Sequence, residues 1–592
     1  MNLNKKQRKY LRKYLDKKTV EEVAFDLKIP VEEITKYLSQ GHKNSLQNSL
    51  EKKILDFNFW EWLYKNRLII ILLISLAFLA YFNSIDNSFV SDDIAAIPQN
   101  ENLNNFGYVT ANPQAFTRNL LYYSINKVWG LNPAPYRLIG ILSHLGTVLV
   151  GYLLIWIVVD PISAVISACL FAVHPILIEG VAWISGGLYA QYSFFIILAI
   201  LFYIFSIKNK RFYLFSLTSM VMALFLSEKA IVFPFILLAF FIFFKDTFKN
   251  WKKLIAPFVI SSIWGLFYLF AIPKRIVALQ TQSPQPTGDM NPLLQIPIAI
   301  SSYLKLIFWP DKLTLYHSEM VFSIGQYLIS LFILALIFII IFVSFKKRSL
   351  IFFWLSLFII SLLPTLTPLG ISWIVAERYV YLGTLGIIVA FAMLLKKLAE
   401  KESLKAVVFI FCSLLTASLL LRTIIRNNDW QDQDALWLAT AETSPSSSQN
   451  HNNLGDLYGR QGNYEQAFEE FKKAIELNPM YADAFHNLAN TYQQTGQTEL
   501  AIENYLKATG FNPGLWQSWQ NLAAIYFNQQ DFETASEYQK KAVEVNPNNA
   551  YLHFNLGTIY QQNNQQEKAN QEFQKAVELD SSIKDLLSPR ID

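Results

Sequence analysis

Two carboxylates stand side by side in FVSDDIAAIPQN, Phe89 to Asn100, a few residues after the first long apolar run. Adjacent side chains point in different directions in most backbone conformations, so Asp92 and Asp93 are expected to divide their roles. One can take the proton of a hydroxyl within hydrogen-bond reach, with Asp92 slightly favoured for it. The other can orient a loop, an acceptor or a cation. The plainer alternative is a solvated turn or helix N-cap with helix from Ile94 onward. Further polar groups recur at the ends of other apolar runs: Arg118, His174, Glu179, Glu228, Lys229, His317, Glu377 and Arg378. Ionisable groups next to apolar spans are costly and are usually functional or paired, and a single pocket on one aqueous face accounts for them economically. Arg378 can grip phosphate oxygens through its planar fork, with Glu377 orienting it or another cation, while Lys229 and Arg118 can add positive charge. The alternative for Glu377 and Arg378 is a structural ion pair.

Several chemistries find no support. His174 and Glu179 lie five apart, a helical rotation of ~500°, so they share no face unless Pro175 breaks the helix. That spacing lacks the HExxH logic of a zinc site, and His174 is left to orient a donor phosphate or the Asp loop, or to pack. Cys169 and Cys412 sit in distant apolar runs, against a disulfide framework or thiolate zinc. No Walker-type phosphate loop is present. Asp92, Asp93 and an oxygen donor could hold Mg²⁺ or Mn²⁺, but two carboxylates alone establish no site.

The elements that must position these groups are membrane helices. The chain has 592 residues, of which 53% are apolar and 16% charged. Runs suited to spans are Leu68–Phe82, Leu138–Val159, Ile162–Val173, Leu188–Ile207, Phe212–Leu226, Ala230–Phe244, Leu254–Ile272, Tyr327–Val343, Leu350–Leu363, Val380–Leu395 and Val407–Leu421. Several fall short of the ~20 residues a bilayer asks for. Alternate loops, Lys208–Arg211, Lys245–Lys253, Lys346–Arg348 and Lys396–Lys405, are basic and fall inside with the N-terminus. Ile162–Val173 is the weakest run and re-entrant in the alternative reading, yet omitting it inverts every later loop. About eleven spans send the C-terminal part outside. No cleavable signal peptide is expected, since the first long apolar run starts near Leu68. Residues 1–66 are basic, and Thr19–Leu38 weakly resembles a helix-turn-helix module; tethered to a membrane, such a segment serves better as a cap on anionic lipid than as a nucleic-acid binder.

Beyond the last run the chain turns polar and repeats. Tyr458, Tyr492, Tyr526 and Tyr560 are 34 apart, as are Leu454, Leu488, Leu522 and Leu556, and Ala467, Ala501, Ala535 and Ala569. This is the tetratricopeptide pattern, four helix-turn-helix units whose stacking leaves a groove suited to a polypeptide partner, or else a spacer.

LFAVHPILIEGVAWISG (Leu170–Gly186), AERYVYLGTLG (Ala376–Gly386), RNNDW (Arg426–Trp430), the acidic pair and the terminal repeats together resemble the transmembrane and tetratricopeptide-repeat O-mannosyltransferases, members of the GT-C class. The resemblance runs from about residue 68 to the C-terminus. It implies an all-α chain with a GT-C transmembrane domain 67–425, a linker 426–447, four repeats over 448–583 and a tail 584–592; the basic cytoplasmic helical segment 1–66 lies outside it. It further implies inverting transfer of mannose or another hexose from a polyprenyl-phosphate donor to Ser or Thr hydroxyls of extracytoplasmic proteins, with the catalytic acid residue of the first external loop falling on Asp92 or Asp93. An inverting transferase needs one base, whereas a retaining glycosidase needs a second, separate nucleophile. Arg378, Glu377, Lys229, Arg118 and His174 are then candidates for the donor phosphate, and Glu179, Trp183 and Tyr379 for sugar or acceptor. Trp183 could equally sit in the interfacial belt. Two departures stand out: SEKAIVFP reverses the family's Lys-then-Glu order at Lys229, and Gly186-Gly187 replaces its Gly-Arg, so one cationic contact is absent or moved. Rival readings are the same chemistry on a lipid or glycan acceptor, a non-catalytic membrane scaffold, and a transporter, the last disfavoured because the charges gather at one face. Short loops point to a prokaryotic cytoplasmic membrane, with the endoplasmic reticulum as the alternative.

Overall fold

The computed structural model describes residues 50–587 except 112–114, 245–249, 271–291, 319–321 and 367–374, together with residues 19–31, Gln7, Tyr10 and Ile34. Among these residues every regular element is a helix. The chain is all-α and divides into two compact units, one built mainly from residues up to 433 and one mainly from 434 onward.

Each of the eleven apolar runs coincides with a helix in the first unit. Among the described residues seven helices are long and apolar enough to cross a bilayer: Phe59–Ser84, Pro133–Val158, Ser185–Phe205, Trp251–Leu269, Ile324–Lys346, Glu377–Ala399 and Glu402–Asn428. Pro161–Ala172 and Pro175–Val181 make an eighth if counted as one span, bent by 58° where Pro175 removes a backbone donor. Arg211–Leu226 and Ile351–Leu362 are shorter, and Ile296–Phe308 is an apolar helix that the list of runs omits. Short polar signals start these helices. Asn58 caps the first span by accepting from the backbone N–H of Trp60 and Glu61. Asp160 does the same for Ile162 and Ser163, with Pro161 next, and Ser323 and Gln326 form a reciprocal capping box. Of the basic N-terminal part, Val20–Leu27 is a helix with its own Thr19–Glu22 capping box; the second expected helix, through Leu38, lies largely outside the described residues.

Close packing in this unit needs small residues. A Cβ on Gly386 would lie 2.3 Å from the carbonyl oxygen of Trp354, so the 381–399 helix rests directly on the backbone of the 351–362 helix.

In the second unit the four repeats are helix pairs: 448–460 with 464–477, 482–494 with 498–511, 516–528 with 532–545, and 550–562 with 566–579. The period-34 alanines Ala467, Ala501, Ala535 and Ala569 are fully buried at the helix crossings. Gly455 and Gly557 face Phe471 and Phe573. Within the stretch expected to be a linker, 426–447, the two units meet between Gln433 and Asp434, and Gln433–Thr443 is helical. The apolar side chains Leu436 and Trp437 explain this, since both are buried.

Replacing Gly386 with leucine is expected to lower stability by about 1–3 kcal/mol through overpacking. A lower melting midpoint in detergent, followed by tryptophan fluorescence, is the check.

Candidate active site

The acidic loop is held from below by one arginine. Arg137, 1% exposed on the 133–158 helix, donates Nη1–H to the carbonyls of Asn87 (2.5 Å) and Ile85 (3.1 Å), Nη2–H to Ser88 (2.9 Å) and Nε–H to Ala182 (2.7 Å). The loop then turns through Ser91 at φ 53°, a left-handed value uncommon outside glycine, and enters the short helix Asp92–Ala96. This turn separates the two carboxylates. Asp93 is fully buried, and its Oδ1 accepts from the Ser185 N–H (2.8 Å) and Ser185 Oγ–H (2.5 Å). Asp92 is exposed. Burial pushes the Asp93 carboxyl up to about 6, against the opposing pull of the Ser185 bonds and Arg137. The helix Phe116–Trp129 covers the loop: its Tyr122 and Ile125 pack with Ile97, Leu103, Tyr136 and Ile184. Burial, with Asp93 nearby, pushes the Tyr122 hydroxyl up against the opposing pull of Arg118, which is half-buried on the same helix.

A second group of charges meets the same short segment. Glu179, fully buried, accepts from the backbone N–H of Arg378 (3.0 Å) and from its Nη1–H (3.1 Å). The Arg378 guanidinium lies 5.2 Å from the Trp183 ring and 5.1 Å from Tyr379. Lys229 lies 5.1 Å from Tyr379 on its own account and 5.0 Å from Tyr189, with Glu228 at 3.5 Å. The Arg378 and Lys229 side chains keep 14% and 12% exposure. Thus Glu179 and Trp183 meet Arg378, and Ser185, in the same short segment, meets Asp93. A Cβ on Gly186 would meet the Glu179 carbonyl at 1.8 Å, so a glycine is needed for the segment to fold back this tightly.

Three expectations change. Glu377 does not orient Arg378; it accepts from Thr314 N–H (2.5 Å) and lies 3.6 Å from Arg426, and Glu179 takes the orienting role. His174 has no nitrogen left for a phosphate. Its Nδ1 accepts from Ile176 N–H (3.3 Å) and its Nε2 lies 2.9 Å from the Ile307 carbonyl, so it caps the helix after the Pro175 break. Trp183 is neither an interfacial-belt residue nor an open sugar platform, being 4% exposed between Arg378 and Trp430, whose ring is 5.6 Å away. Glu179 and Tyr379 are likewise buried and serve Arg378 and Lys229.

Arg137, Ser185 and Arg426 are absent from the expected site. Arg426 is 2% exposed and pairs with Asp429 (2.8 Å) and Glu377. Its motif RNNDW is visible in sequence, and an arginine directly at the start of an apolar run, as Arg137 is, was the available signal. The two aspartates do not offer the shared chelate left open for Mg²⁺ or Mn²⁺, one being bonded to Ser185 and the other facing solvent. Among the described residues no group of three His, Cys, Asp or Glu side chains is spaced for a metal.

Fold and site define a multi-pass, all-helical membrane protein with a tetratricopeptide solenoid. Models of the tetratricopeptide repeat match residues 455–496, 482–514 and 517–582. The mouse (Mus musculus) protein O-mannosyl-transferase TMTC3 is 23% identical over 73% of this chain and 52% of its own length. The Caenorhabditis elegans protein O-mannosyl-transferase F38B6.6 is 25% identical over 70% of this chain and 63% of its own. The Drosophila melanogaster protein O-mannosyl-transferase Tmtc2 is 31% identical over 18% of this chain and 12% of its own. The chain is thus related to the transmembrane and tetratricopeptide-repeat O-mannosyltransferases, and it spans about half the length of the curated relatives it matches. A crystal structure of MamA aligns with 27% of this chain and 92% of its own at 19% identity and a TM-score of 0.24, at which no argument follows.

Two outcomes are expected. Arg137→Met strands four backbone carbonyls, at roughly 1–3 kcal/mol for each that stays buried and unpaired, and should expose the 85–97 loop to limited proteolysis. Because the folded Asp93 carboxyl titrates above its unfolded value, its contribution is present below about pH 4 and is lost as pH rises through about 6. Wild type should therefore melt higher at pH 5 than at pH 7.5, and Asp93→Asn, which keeps an acceptor for Ser185, should flatten the difference.

Proposed function

We propose that this protein transfers mannose or another hexose, with inversion, from a polyprenyl-phosphate donor to serine or threonine hydroxyls of proteins on the extracytoplasmic face. The observation that carries this reading is the division of labour in the acidic pair: a buried Asp93 bonded to Ser185 fixes the loop, and an adjacent, exposed Asp92 is left for an incoming hydroxyl. Asp92 is the base. It accepts the hydroxyl proton as the acceptor oxygen attacks the anomeric carbon and the bond to the lipid phosphate breaks.

The leaving phosphate gathers charge and needs cations that are already in place. Arg378 and Lys229, which flank Tyr379 and stay partly exposed, supply them, with Glu179 fixing the Arg378 fork. Arg118 adds positive charge on the Asp side. Both groups attach to the Glu179–Ser185 segment, which suits one donor spanning anomeric carbon and phosphate. The repeats hold the acceptor polypeptide, as the sequence relationship to protein O-mannosyl-transferases supports.

The test is transfer by purified protein in lipid nanodiscs, using a panel of polyprenyl-phosphate hexoses and exported proteins, read as added hexose by mass spectrometry. Asp92→Asn should lower the rate 10²–10⁴-fold, the usual worth of a general base. Asp93→Asn should lose less. Undiminished transfer by Asp92→Asn removes it from the mechanism.

A further inference from the structure

A proline recurs with the repeats, Pro445, Pro479, Pro513 and Pro547, each in the turn that leads into a repeat's first helix. Six residues on stand His451, Phe485, Trp519 and His553. Three of these four side chains tie the helix to its turn: Trp519 donates Nε1–H to the Pro513 carbonyl (3.0 Å), and Nε2 of His451 and of His553 lies 2.9 Å from the carbonyls of Pro445 and Pro547. Phe485 has no nitrogen to offer. The two histidines also reach the second helix of their own repeat, where Nδ1 of His451 lies 2.5 Å from Glu470 and Nδ1 of His553 lies 2.6 Å from Glu572. Both imidazoles are 9% exposed.

A neutral ring cannot keep both contacts. It has one N–H, whereas a backbone carbonyl and a carboxylate only accept. Each site therefore holds one proton more than a neutral histidine with an ionised glutamate, and losing it turns a ring lone pair toward an oxygen. Trp519 makes the same fastening with no proton to lose. Burial pulls the His451 ring down, but Glu470 and the Pro445 carbonyl outweigh it and raise the ring above its ordinary value, with Lys473 opposing. Elsewhere around His451, Asp434 and Asp456 bond Arg460, Glu442 and the other charges of the 464–477 helix are exposed, Asp483 is half-buried, and His486 bonds Ser518 and Asn490. Around His553, Lys575 pairs with Glu578, Lys540 and Lys568 lie over Tyr560, Asp580 caps the following turn, and the other charges of the 532–545 and 566–579 helices are exposed. Glu470 and Glu572 are thus the carboxylates set against the two rings.

We propose that these two histidine–glutamate pairs are proton-operated clasps on the outer repeats of the solenoid: protonated, they fasten the turns leading into the first and fourth repeats, and on losing the proton they release them. They need no transfer reaction to operate. The sign follows from the raised His451 ring: its fastening is fully present below about pH 6.5, the ordinary histidine value, and is lost as pH rises through the higher folded value. The third repeat, held through Trp519, stays fastened throughout.

The experiment is hydrogen exchange read by mass spectrometry on the full chain in nanodiscs at pH 6 and pH 9, each rate divided by the intrinsic rate of the free peptide. Peptides covering residues 445–453 and 547–555 should lose about tenfold in protection at pH 9, the worth of one hydrogen bond, while 513–521 should not change. Glu470→Gln and Glu572→Gln supply an amide N–H that a neutral Nδ1 can accept, and should abolish the loss, each in its own repeat. His553→Trp, which copies the third repeat, gives the same reading if the glutamine variants do not fold. Unchanged protection at either outer repeat in wild type, an equal loss at 513–521, or a loss that persists in the variants overturns the proposal.

Discussion

One guanidinium sets the terms for the end of the membrane unit that carries the acidic pair. Arg137 rises from a helix that is otherwise apolar and gathers carbonyls from two chain segments, Ile85–Ser88 and Ala182. A charge at that depth is tolerated only because every direction of its fork meets an oxygen. Its effect is geometric. The loop carrying the aspartates and the segment carrying Glu179, Trp183 and Ser185 are fixed against a common point, so the distance between the acidic loop and Arg378 is a property of the scaffold and not of flexible side chains.

The buried ions follow the same rule of mutual compensation. Glu179 answers Arg378, and Glu377 with Asp429 answers Arg426, so three stretches distant in sequence lock together through paired charges. Breaking one partner would leave the other stranded, which is why such clusters fix a single arrangement even when they contribute little net stability. The cations that stay partly exposed, Arg378 and Lys229, meet at the Tyr379 ring.

Much of this was legible in the sequence. Hydropathy marked eleven of the apolar helices because burial in lipid demands long uninterrupted runs. The period of 34 declared the repeats, since each alanine at a helix crossing must be small. Ile296–Phe308 was missed because its hydropathy is diluted by Ser301, Ser302 and Lys305. The polar candidates at Asp93, Arg378, Lys229 and Glu179 are drawn to one segment, but their pairings were not readable. Spacing along the chain carries no information about which carboxylate meets which arginine when they are 199 residues apart, as Glu179 and Arg378 are. For the same reason Glu377 looked like the natural partner of its neighbour, and His174 like a free imidazole.

The loop bearing the acidic pair is also stitched to the far end of the membrane unit. Asn87 donates to the carbonyls of Asn427 and Trp430, and Asn427 donates to Ala80 and Asn83, contacts that join residues some 340 positions apart. Local preference does not hold Ser91 in its left-handed turn, so that turn waits for these partners. A ribosome-bound chain that has inserted its early helices therefore still lacks a finished acidic loop. The final shape of the loop is therefore set only once the 402–428 helix and Trp430 beyond it are in place.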